Sequence, residues 1–355
     1  MGSSPIRVRF APSPTGSLHL GNALTAVANR DYADAHRGVM VLRIDDTDAE
    51  RSLPGGEEAL LAELEWLEVA WEEGPVRQSE QADRYAEAAA RALGAGAVGD
   101  ADGSIRLDGI TLVRPDGTAT YQLASVVDDL ALGITHIIRG SDHRPNEAIQ
   151  RRIAVALGGE LPPVIHHGLL LGADGKKLSK RHGHTSVADL RKAGIPAAAL
   201  RAYLDELGMP EHDVQLDETR IGRLAIDAIA AMPDEQLCEA AAAPLGLARA
   251  LRGARTLVEA REIAAQITTP SLRPLDADSE ARPTLERFAE LRAGAADGLD
   301  EAGARELVRE VKAVGGNLRA LRAALTGAER GAELWAIVAY LPREEALARI
   351  GIALG

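Results

Sequence analysis

An alternation of short apolar runs with segments of helical spacing over residues 1–195 constrains the fold more than any other feature of this sequence. Its successive segments are residues 6–10, 21–36, 39–44, 56–71, 121–127, 134–139, 146–157 and 164–171. Residues 6–10 and 39–44 are predicted to be strands, and residues 21–36 and 56–71 are predicted to be helices. Because parallel strands need crossover connections, this order predicts an α/β domain built on a parallel sheet.

The pattern changes near residue 196. From there onward strand signals fade, and Ala, Leu, Arg and Glu recur at helical spacing. Residues 268–283 are rich in Pro, Ser and Asp and predict a junction between two helical parts. We therefore expect a Rossmann-like parallel-sheet domain in residues 1–195, a first helical region in 196–267, and a C-terminal helical region in 268–355.

Composition narrows the class of protein. The formal net charge of −13 argues against a broad surface that coats nucleic acid, although it leaves room for a local basic groove. The single cysteine, Cys238, excludes an internal disulfide and a cysteine zinc cluster, so we expect a reducing compartment. No apolar run is long enough to cross a bilayer, and residues 1–10 hold no signal-peptide pattern, which predicts a cytoplasmic protein.

The first segment that can carry chemistry is residues 13–21, Ser-Pro-Thr-Gly-Ser-Leu-His-Leu-Gly, where a strand gives way to a helix. Backbone N–H groups at such a junction can face a phosphate, helped by the helix dipole. His19 can donate to a phosphate oxygen, and Gly21 lets a nucleotide lie against the backbone. The alternative is a Pro/Gly turn with a surface histidine.

The second segment is residues 175–183, Gly-Lys-Lys-Leu-Ser-Lys-Arg-His-Gly, which holds four cations between glycines. The lysines of the whole chain are Lys176, Lys177, Lys180, Lys192 and Lys312. Three of the five thus fall in this loop, although arginine supplies nearly all other positive charge. The cluster suits the stabilisation of charge on a polyphosphate under attack, whereas the alternative is a solvated basic turn.

Together these two segments resemble the HIGH-type and KMSKS-type signatures of class I aminoacyl-tRNA synthetases. Their amino-acid sequences are most similar to those of the glutamyl-tRNA synthetases. Further matches lie in family order at residues 9–16, 42–48, 121–129 and 134–143. The resemblance covers residues 6–210 strongly and 315–350 more faintly. Five ordered motifs are a far stronger signal than any single one.

The resemblance implies a set of roles for individual residues. It assigns glutamate to Arg9, Ser13, Asp45, Tyr121, Ser125 and Arg139. It assigns ATP to Ala11, His19, Gly21, Asp142, His143, Lys177 and Lys180, with His19, Lys177 and Lys180 as the catalytic residues. The arginines suit a carboxylate, which can accept two parallel hydrogen bonds, and Asp45 suits an ammonium group.

The sequence departs from the family pattern at two positions of this pocket and in one insertion. Asp45 stands where many members carry glutamate, and Ser125 stands where many carry asparagine. Residues 94–109 occupy the place of a longer insertion that grips the acceptor end of tRNA in full-length members. The C-terminal helical part is also shorter than the family's anticodon-binding region.

The resemblance implies an enzyme that activates glutamate with ATP and transfers it to the 3′ end of tRNA. We expect Mg²⁺ to arrive with ATP, no zinc, no membrane partner and a monomer. The aspartates of residues 45–48 lack the glycine and alternation of a calcium loop. Two alternatives stay open: a truncated paralogue that activates glutamate for another acceptor, such as a modified tRNA base, and a non-catalytic RNA-binding regulator.

Overall fold

The computed structural model describes residues 5–48, 53–178, 186–274 and 280–355. The chain divides into two units, of which the first comprises Met1–Lys192 with Leu200–Glu218 and the second Ala193–Ala199 with Thr219–Gly355. The first unit holds a parallel α/β core and the second is helical in its described residues, so the predicted fold class is confirmed. Among the described residues, every helix is too short or too polar to cross a lipid bilayer.

The elements of the first part of the chain follow one another in the expected α/β order. They are β1 Arg7–Phe10, α1 Leu20–Ala35, β2 Val39–Ile44, α2 Gly56–Trp66, β3 Glu73–Arg77, α3 Ala82–Gly94, β4 Val98–Gly99, β5 Ile105–Leu107, β6 Ile110–Val113, α4 Tyr121–Ala131, β7 Ile137–Gly140, α5 Arg144–Ala156, β8 Val164–His167, β9 Leu170–Leu171, α6 Val187–Lys192, α7 Ala197–Leu207 and β10 Val214–Gln215.

The core strands run parallel, as the crossover helices between them require. β1 pairs with β2 from Arg7 opposite Val39 to Phe10 opposite Leu42, and β2 pairs in parallel with β3. β7 pairs in parallel with β8, and β9 with β10. The carboxyl ends of β1, β2 and β7 therefore open on one edge of the core, where α/β proteins bind their ligands.

Apolar burial fixes this core. Strand side chains such as Val8, Met40 and Ile137 are completely buried, and α1 covers them with Leu24 and Val27, also completely buried. Each such side chain stabilises the fold by about 1.5–3 kcal/mol relative to an exposed one. The strands that carry the site are thus held in place from behind by packed hydrocarbon.

Helix α2 ends earlier than its spacing predicts. The sequence pattern extended the helix to Trp71, but the structure ends it at Trp66, and Glu68 adopts a left-handed backbone with φ 56°. A non-glycine residue in that region stops a right-handed helix. Trp66 and Trp71 are half-buried rather than core residues, and the Arg191 guanidinium lies 5.7 Å from the Trp66 ring centre.

A small antiparallel sheet occupies the segment expected to replace a longer insertion. Its strands are β4, β5 and β6, in that order, and Gly103 and Gly109 turn the chain between them with positive φ values. Strands of two to four residues are too short to show a sequence period of two. The segment is folded onto the core, since Leu107 and Leu112 are buried with α3 and α4 side chains.

The second unit packs short helices around its own core. They are α8 Glu218–Ala231, α9 Asp234–Ala240, α10 Ala248–Leu251, α11 Leu257–Thr268, α12 Arg282–Gly294, α13 Glu301–Ala313, α14 Leu318–Thr326, α15 Leu334–Tyr340 and α16 Arg343–Leu354. Side-chain oxygens of Thr256, Asp300 and Asn317 cap three of these helices. Phe288 and Leu325 are completely buried at the centre of the unit.

Candidate active site

A pocket of about 690 Å³ opens at the carboxyl ends of β1, β2 and β7. Predicted site residues that line it are Arg9, Ala11, Ser13, His19, Gly21, Asp45, Tyr121, Arg139, Asp142, His143 and Lys177. This volume is typical of small-molecule sites. Ser125 lies behind the pocket wall, and Lys180 lies outside the described residues. The structure thus brings together residues that are up to 168 positions apart in the chain.

The loop between β1 and α1 forms one wall of this pocket. Glu63 of α2 holds it from behind, because its carboxylate accepts from the backbone N–H of Leu18 at 2.6 Å and from the Ser17 hydroxyl at 2.8 Å. His19 immediately precedes α1, and no described residue hydrogen-bonds its imidazole. The amino end of the 16-residue helix α1 therefore borders the pocket, where its dipole favours an anion.

Lys177 reaches the pocket from the second signature segment. Its ammonium group donates to the Asp142 carboxylate at 2.5 Å, and its side chain is 68% exposed. Burial works to raise the pKa of Asp142, but the bond from Lys177 and the nearby charges of His143 and Lys177 keep that pKa below its usual value. The remainder of this segment lies outside the described residues, which resume at Ser186.

The chain that follows those residues contacts the first signature segment. Ser186 forms a bridge with His19, and the backbone N–H of Val187 donates to the Leu18 carbonyl at 2.9 Å. The loop expected at the nucleotide is therefore fixed to the start of α6.

Arg139 lines the pocket and carries two hydrogen-bond donors without an acceptor. Its Nη1 donates to Gln150 Oε1 at 2.8 Å, whereas Nε and Nη2 are buried without a protein acceptor. The residue is 5% exposed, and burial lowers its pKa, with the nearby Arg9 charge acting in the same direction. A buried guanidinium with two open donors is unfavourable in the empty protein, and an anionic ligand would satisfy it.

Ser125 acts at one remove from the pocket. Its hydroxyl accepts from Gln150 Nε2 at 3.0 Å, and the opposite end of that amide holds Arg139. Glutamate binding by Ser125 stays a prediction; among the described contacts Ser125 reaches the pocket residue Arg139 through Gln150. Gln150 had no place in the sequence prediction, since it lies on α5, beyond the end of the 134–143 motif.

Arg9 and Asp45 are tied together beneath the pocket floor. Asp129 Oδ1 accepts from Arg9 Nε at 3.1 Å and from Arg43 Nη1 at 2.7 Å. Arg43 in turn donates to both oxygens of Asp45, at 2.7 and 3.2 Å. Burial raises the pKa of Asp45, and the Arg43 guanidinium opposes that rise. Arg43 and Asp129 lie inside motifs quoted above, but nothing in their spacing predicts the contact.

Tyr121 and His143 form a further side of the pocket. Their ring centres are 6.3 Å apart at an angle of 44°. Burial lowers the pKa of His143, and the nearby Asp142 carboxylate opposes that shift. His167, which the site prediction did not include, also lines the pocket and is 2% exposed.

A second cleft, of about 830 Å³, lies between α5, the end of α3 and the β5–β6 turn. Its wall carries the guanidinium groups of Arg144, Arg151 and Arg152. Two carboxylates offset part of this charge, since Glu147 pairs with Arg151 at 2.9 Å and Asp108 lies 3.7 Å from Arg152. The cleft thus carries more positive than negative side chains, and such a local basic groove is compatible with the net negative charge of the whole chain.

The arrangement described so far is that of an α/β domain with a polar pocket at the carboxyl ends of its parallel strands, lined by both cationic and anionic side chains. The family model for class I tRNA synthetases (E and Q), catalytic domain, matches residues 5–98 and 99–225. The match is interrupted between Val98 and Gly99, within the small sheet that replaces the expected insertion. The family model therefore accounts for the first unit and its pocket.

Individual relatives show to which branch of the class I synthetases the chain belongs. The glutamate–tRNA ligase 1 of Methylorubrum extorquens is 34% identical over 472 positions, covering 98% of each chain. The glutamate–tRNA ligase 1 of Rubrobacter xylanophilus is 42% identical over 57% of this chain and 53% of its own length, and a Paracoccus denitrificans relative is covered over 59%. The chain thus spans little more than half the length of several relatives, and it belongs to the glutamyl-tRNA synthetase family of class I synthetases.

Solved structures show the same fold. A glutamate tRNA ligase from Elizabethkingia meningosepticum, in complex with its amino acid, superposes with a TM-score of 0.80 at 21% identity over 99% of both chains. The glutamate–tRNA synthetase of Elizabethkingia anophelis gives a TM-score of 0.78 at 21% identity, over 99% of this chain and all of that one.

Proposed function

We propose that this chain is a glutamate–tRNA ligase, which condenses glutamate with ATP and passes the glutamyl group to the 3′ end of tRNA. The observation that carries the proposal is the buried guanidinium of Arg139, which lines the pocket and whose Nε and Nη2 have no hydrogen-bond acceptor among the described residues. A carboxylate offers two oxygens to such an edge, whereas the amide of glutamine offers only one acceptor. The names of the relatives agree with this assignment.

In the proposed first step, a carboxylate oxygen of glutamate attacks the α-phosphorus of ATP, and pyrophosphate leaves. Arg9 and Arg139 would bind the side-chain carboxylate and Asp45 the ammonium group, which leaves the α-carboxylate free to react. His19 and the amino end of α1 would face the phosphates, and Lys177 would exchange Asp142 for the phosphate charge. Mg²⁺ would enter with ATP, bound through the phosphate oxygens.

In the proposed second step, a ribose hydroxyl at the end of tRNA attacks the glutamyl carbonyl, and AMP leaves. No protein nucleophile is needed in either step, so positioning and charge stabilisation account for the rate. The proposal includes the predicted site residues Ser13, Tyr121, Gly21, Ala11 and His143 as pocket walls, with Ser125 acting through Gln150.

A second candidate follows from the short segment between α3 and α4. The alignment with the Methylorubrum extorquens relative is 472 positions long, although this chain has 355 residues, so stretches of that relative have no counterpart here. If the missing stretches are those that hold the acceptor end of tRNA, activated glutamate would pass to a different acceptor. This acceptor would be a modified base within a tRNA.

The experiment that separates the two candidates is acylation with radiolabelled glutamate, ATP and total tRNA. A parallel reaction uses tRNA from which the terminal adenosine has been removed, because this RNA lacks the acceptor hydroxyl but keeps every internal base. Label on intact tRNA alone is expected. Equal labelling of both RNAs would replace the first candidate by the second.

A matched pair of variants tests the pocket itself. Arg9→Gln should reduce glutamate-dependent exchange of pyrophosphate into ATP, assayed with tRNA present, by about a hundredfold or more, as expected for lost hydrogen bonds to a charged group. Arg7→Gln is the control, because Arg7 lies on the same strand but does not line the pocket. Its guanidinium pairs instead with the Glu73 carboxylate at a distance of 2.7 Å. Similar losses in both variants would contradict the assignment.

A further inference from the structure

Four buried side chains beneath the pocket alternate in charge, and we call them the charge row: Arg9, Asp129, Arg43 and Asp45. Asp129 Oδ1 accepts from both arginines, at 3.1 and 2.7 Å, and Arg43 grips Asp45 with two hydrogen bonds. Arg9, Arg43 and Asp45 all line the same pocket, but the three side-chain nitrogens of Arg43 already donate to Asp45 or Asp129, so a ligand meets the two ends of the row. The row therefore presents one positive and one negative end.

The contribution of the charge row to the stability of the fold is not enough to explain its presence. Its members are 5%, 3%, 1% and 8% exposed in the order given. Buried ion pairs lose about as much solvation as they gain in attraction, so apolar residues of similar volume are often equally stabilising. A role beyond stability is thus the stronger explanation, and registry between defined positions is the best-attested one.

The row is also open at its positive end. Arg9 donates from Nε to Asp129, and no described residue accepts from its two terminal nitrogens. The Asp129 oxygen that accepts from Arg9 also accepts from Arg43 at 2.7 Å. The position of the positive end is therefore set by the same guanidinium that sets the negative end.

We infer that Asp129 and Arg43 are positioning residues that fix the spacing between the carboxylate-binding and ammonium-binding ends of the pocket. This inference rests on the proposed function, in which glutamate bridges Arg9 and Asp45. The substrate carboxylate and ammonium then close the row into a ring of alternating charge. Because each end is held through the other, displacing either inner member weakens substrate binding at both ends.

The chain offers a matched control in Asp128, the neighbour of Asp129 on α4. Asp128 is completely buried, and its Oδ2 accepts from Gln78 at 2.8 Å and from the Tyr85 hydroxyl at 2.9 Å. Its nearest approach to the row is 3.9 Å from Arg43, and it does not line the pocket. Asp128→Asn therefore makes the same chemical change at the same depth without touching either end.

The test measures steady-state exchange of pyrophosphate into ATP, with tRNA present, for the wild type, Asp129→Asn and Asp128→Asn. Asp129→Asn should raise the KM for glutamate by about tenfold or more, as for a lost hydrogen bond to a charged group, and leave the KM for ATP within about twofold. Asp128→Asn should melt at a lower temperature and leave both KM values unchanged. Equal KM values for glutamate in the two variants would overturn the inference.

A second pair of variants keeps the test decisive if Asp129→Asn does not fold. Arg43→Lys keeps the positive charge but cannot grip both oxygens of Asp45, whereas Arg43→Gln loses the charge. The melting temperature should recover from Arg43→Gln to Arg43→Lys, while the KM for glutamate stays raised in both. Recovery of the glutamate KM by lysine would mean that charge alone suffices, and Arg43 would not be a positioning residue.

Failure of the proposed function would be recognised separately. Thermal melts of the wild type with each of the twenty amino acids show which zwitterion the pocket binds. Stabilisation by an amino acid other than glutamate refutes the proposed substrate, and the same variants are then assayed with that amino acid. No stabilisation by any amino acid refutes both the function and the role of the charge row.

Discussion

Replacing Arg139 by methionine separates binding from stability more sharply than any other single change in this pocket. The substitution removes two open donors, Nε and Nη2, and one bond from Nη1 to Gln150 at 2.8 Å. Two hydrogen bonds from a charged group to a carboxylate contribute about 1.5–3 kcal/mol each, so kcat/KM for glutamate should fall by about 10² to 10⁴.

The stability of the ligand-free protein should change little. Loss of the Arg139 side chain leaves the Gln150 oxygen without its donor, which costs about 1–3 kcal/mol. The same loss removes a buried charge that is only partly compensated, which is favourable. Since the two effects oppose each other, we expect a net change within about 2 kcal/mol.

Arg43→Met provides the contrast. Its guanidinium is paired with Asp45 and Asp129 and lies 3.9 Å from Asp128, so its removal leaves three buried carboxylates together. Breaking such a buried network costs about 3–5 kcal/mol or more. Arg43→Met should therefore unfold at a clearly lower temperature than Arg139→Met.

Thermal melts with and without glutamate measure both quantities. At a hundred times Kd, glutamate adds about 2.7 kcal/mol to wild-type stability, which raises the melting temperature by roughly 5 °C, and Arg139→Met should show no such rise. A glutamate-dependent rise that survives in Arg139→Met would refute the reasoning. Equal destabilisation by Arg139→Met and Arg43→Met would refute it as well.

Three further predictions follow from the same contacts. Lys177→Ala should reduce exchange of pyrophosphate into ATP by about a hundredfold while shifting stability by less than about 1 kcal/mol, because the exposed pair with Asp142 at 2.5 Å contributes little to the fold; a large drop in melting temperature would contradict this. Burial lowers the pKa of His167 below the ordinary value of 6.5, so the unfolded chain binds the proton more tightly and stability is lost as the pH falls below that value. Denaturant titrations between pH 5 and pH 8 should show this loss, and His167→Asn should flatten it by up to about 1.4 kcal/mol per pH unit. Replacing Arg151 and Arg152 by alanine should weaken tRNA binding and reduce the slope of log Kd against log salt concentration by roughly 1 to 2. Glutamate-dependent exchange of pyrophosphate into ATP should otherwise be unchanged.

The sequence allowed much of the first unit to be predicted, since its strands and helices are long enough to show their periods. β1, α1 and β2 lie within a residue or two of the predicted segments. The end of α2 was missed because a left-handed Glu68, not a glycine or proline, stops the helix. The strands of the small sheet were missed because they contain too few residues to reveal a period.

The residues of the candidate site likewise fall into those that the sequence predicted and those that it did not. His19, Asp45, Arg139 and Lys177 were placed by motifs that are local in sequence, and the structure brings them to one pocket. Their supports were not found, because the bonds that hold Arg9 and Arg43 to Asp129 join residues 120 and 86 positions apart. Periodicity reports which face of an element is buried, but it does not report which side chain lies opposite.

The single Asp129 oxygen that serves two arginines has a consequence for how this pocket can evolve. The sequence resemblance puts Asp45 where many members of the family carry the longer glutamate, and Arg43 donates to both oxygens of the Asp45 carboxylate. A longer acid at this position would push Arg43 away, and Asp129 and Arg9 would have to follow. Substitutions at these four positions should therefore be accepted as sets, so that covariation among them, rather than any one residue, records which amino acid a given member of the family accepts.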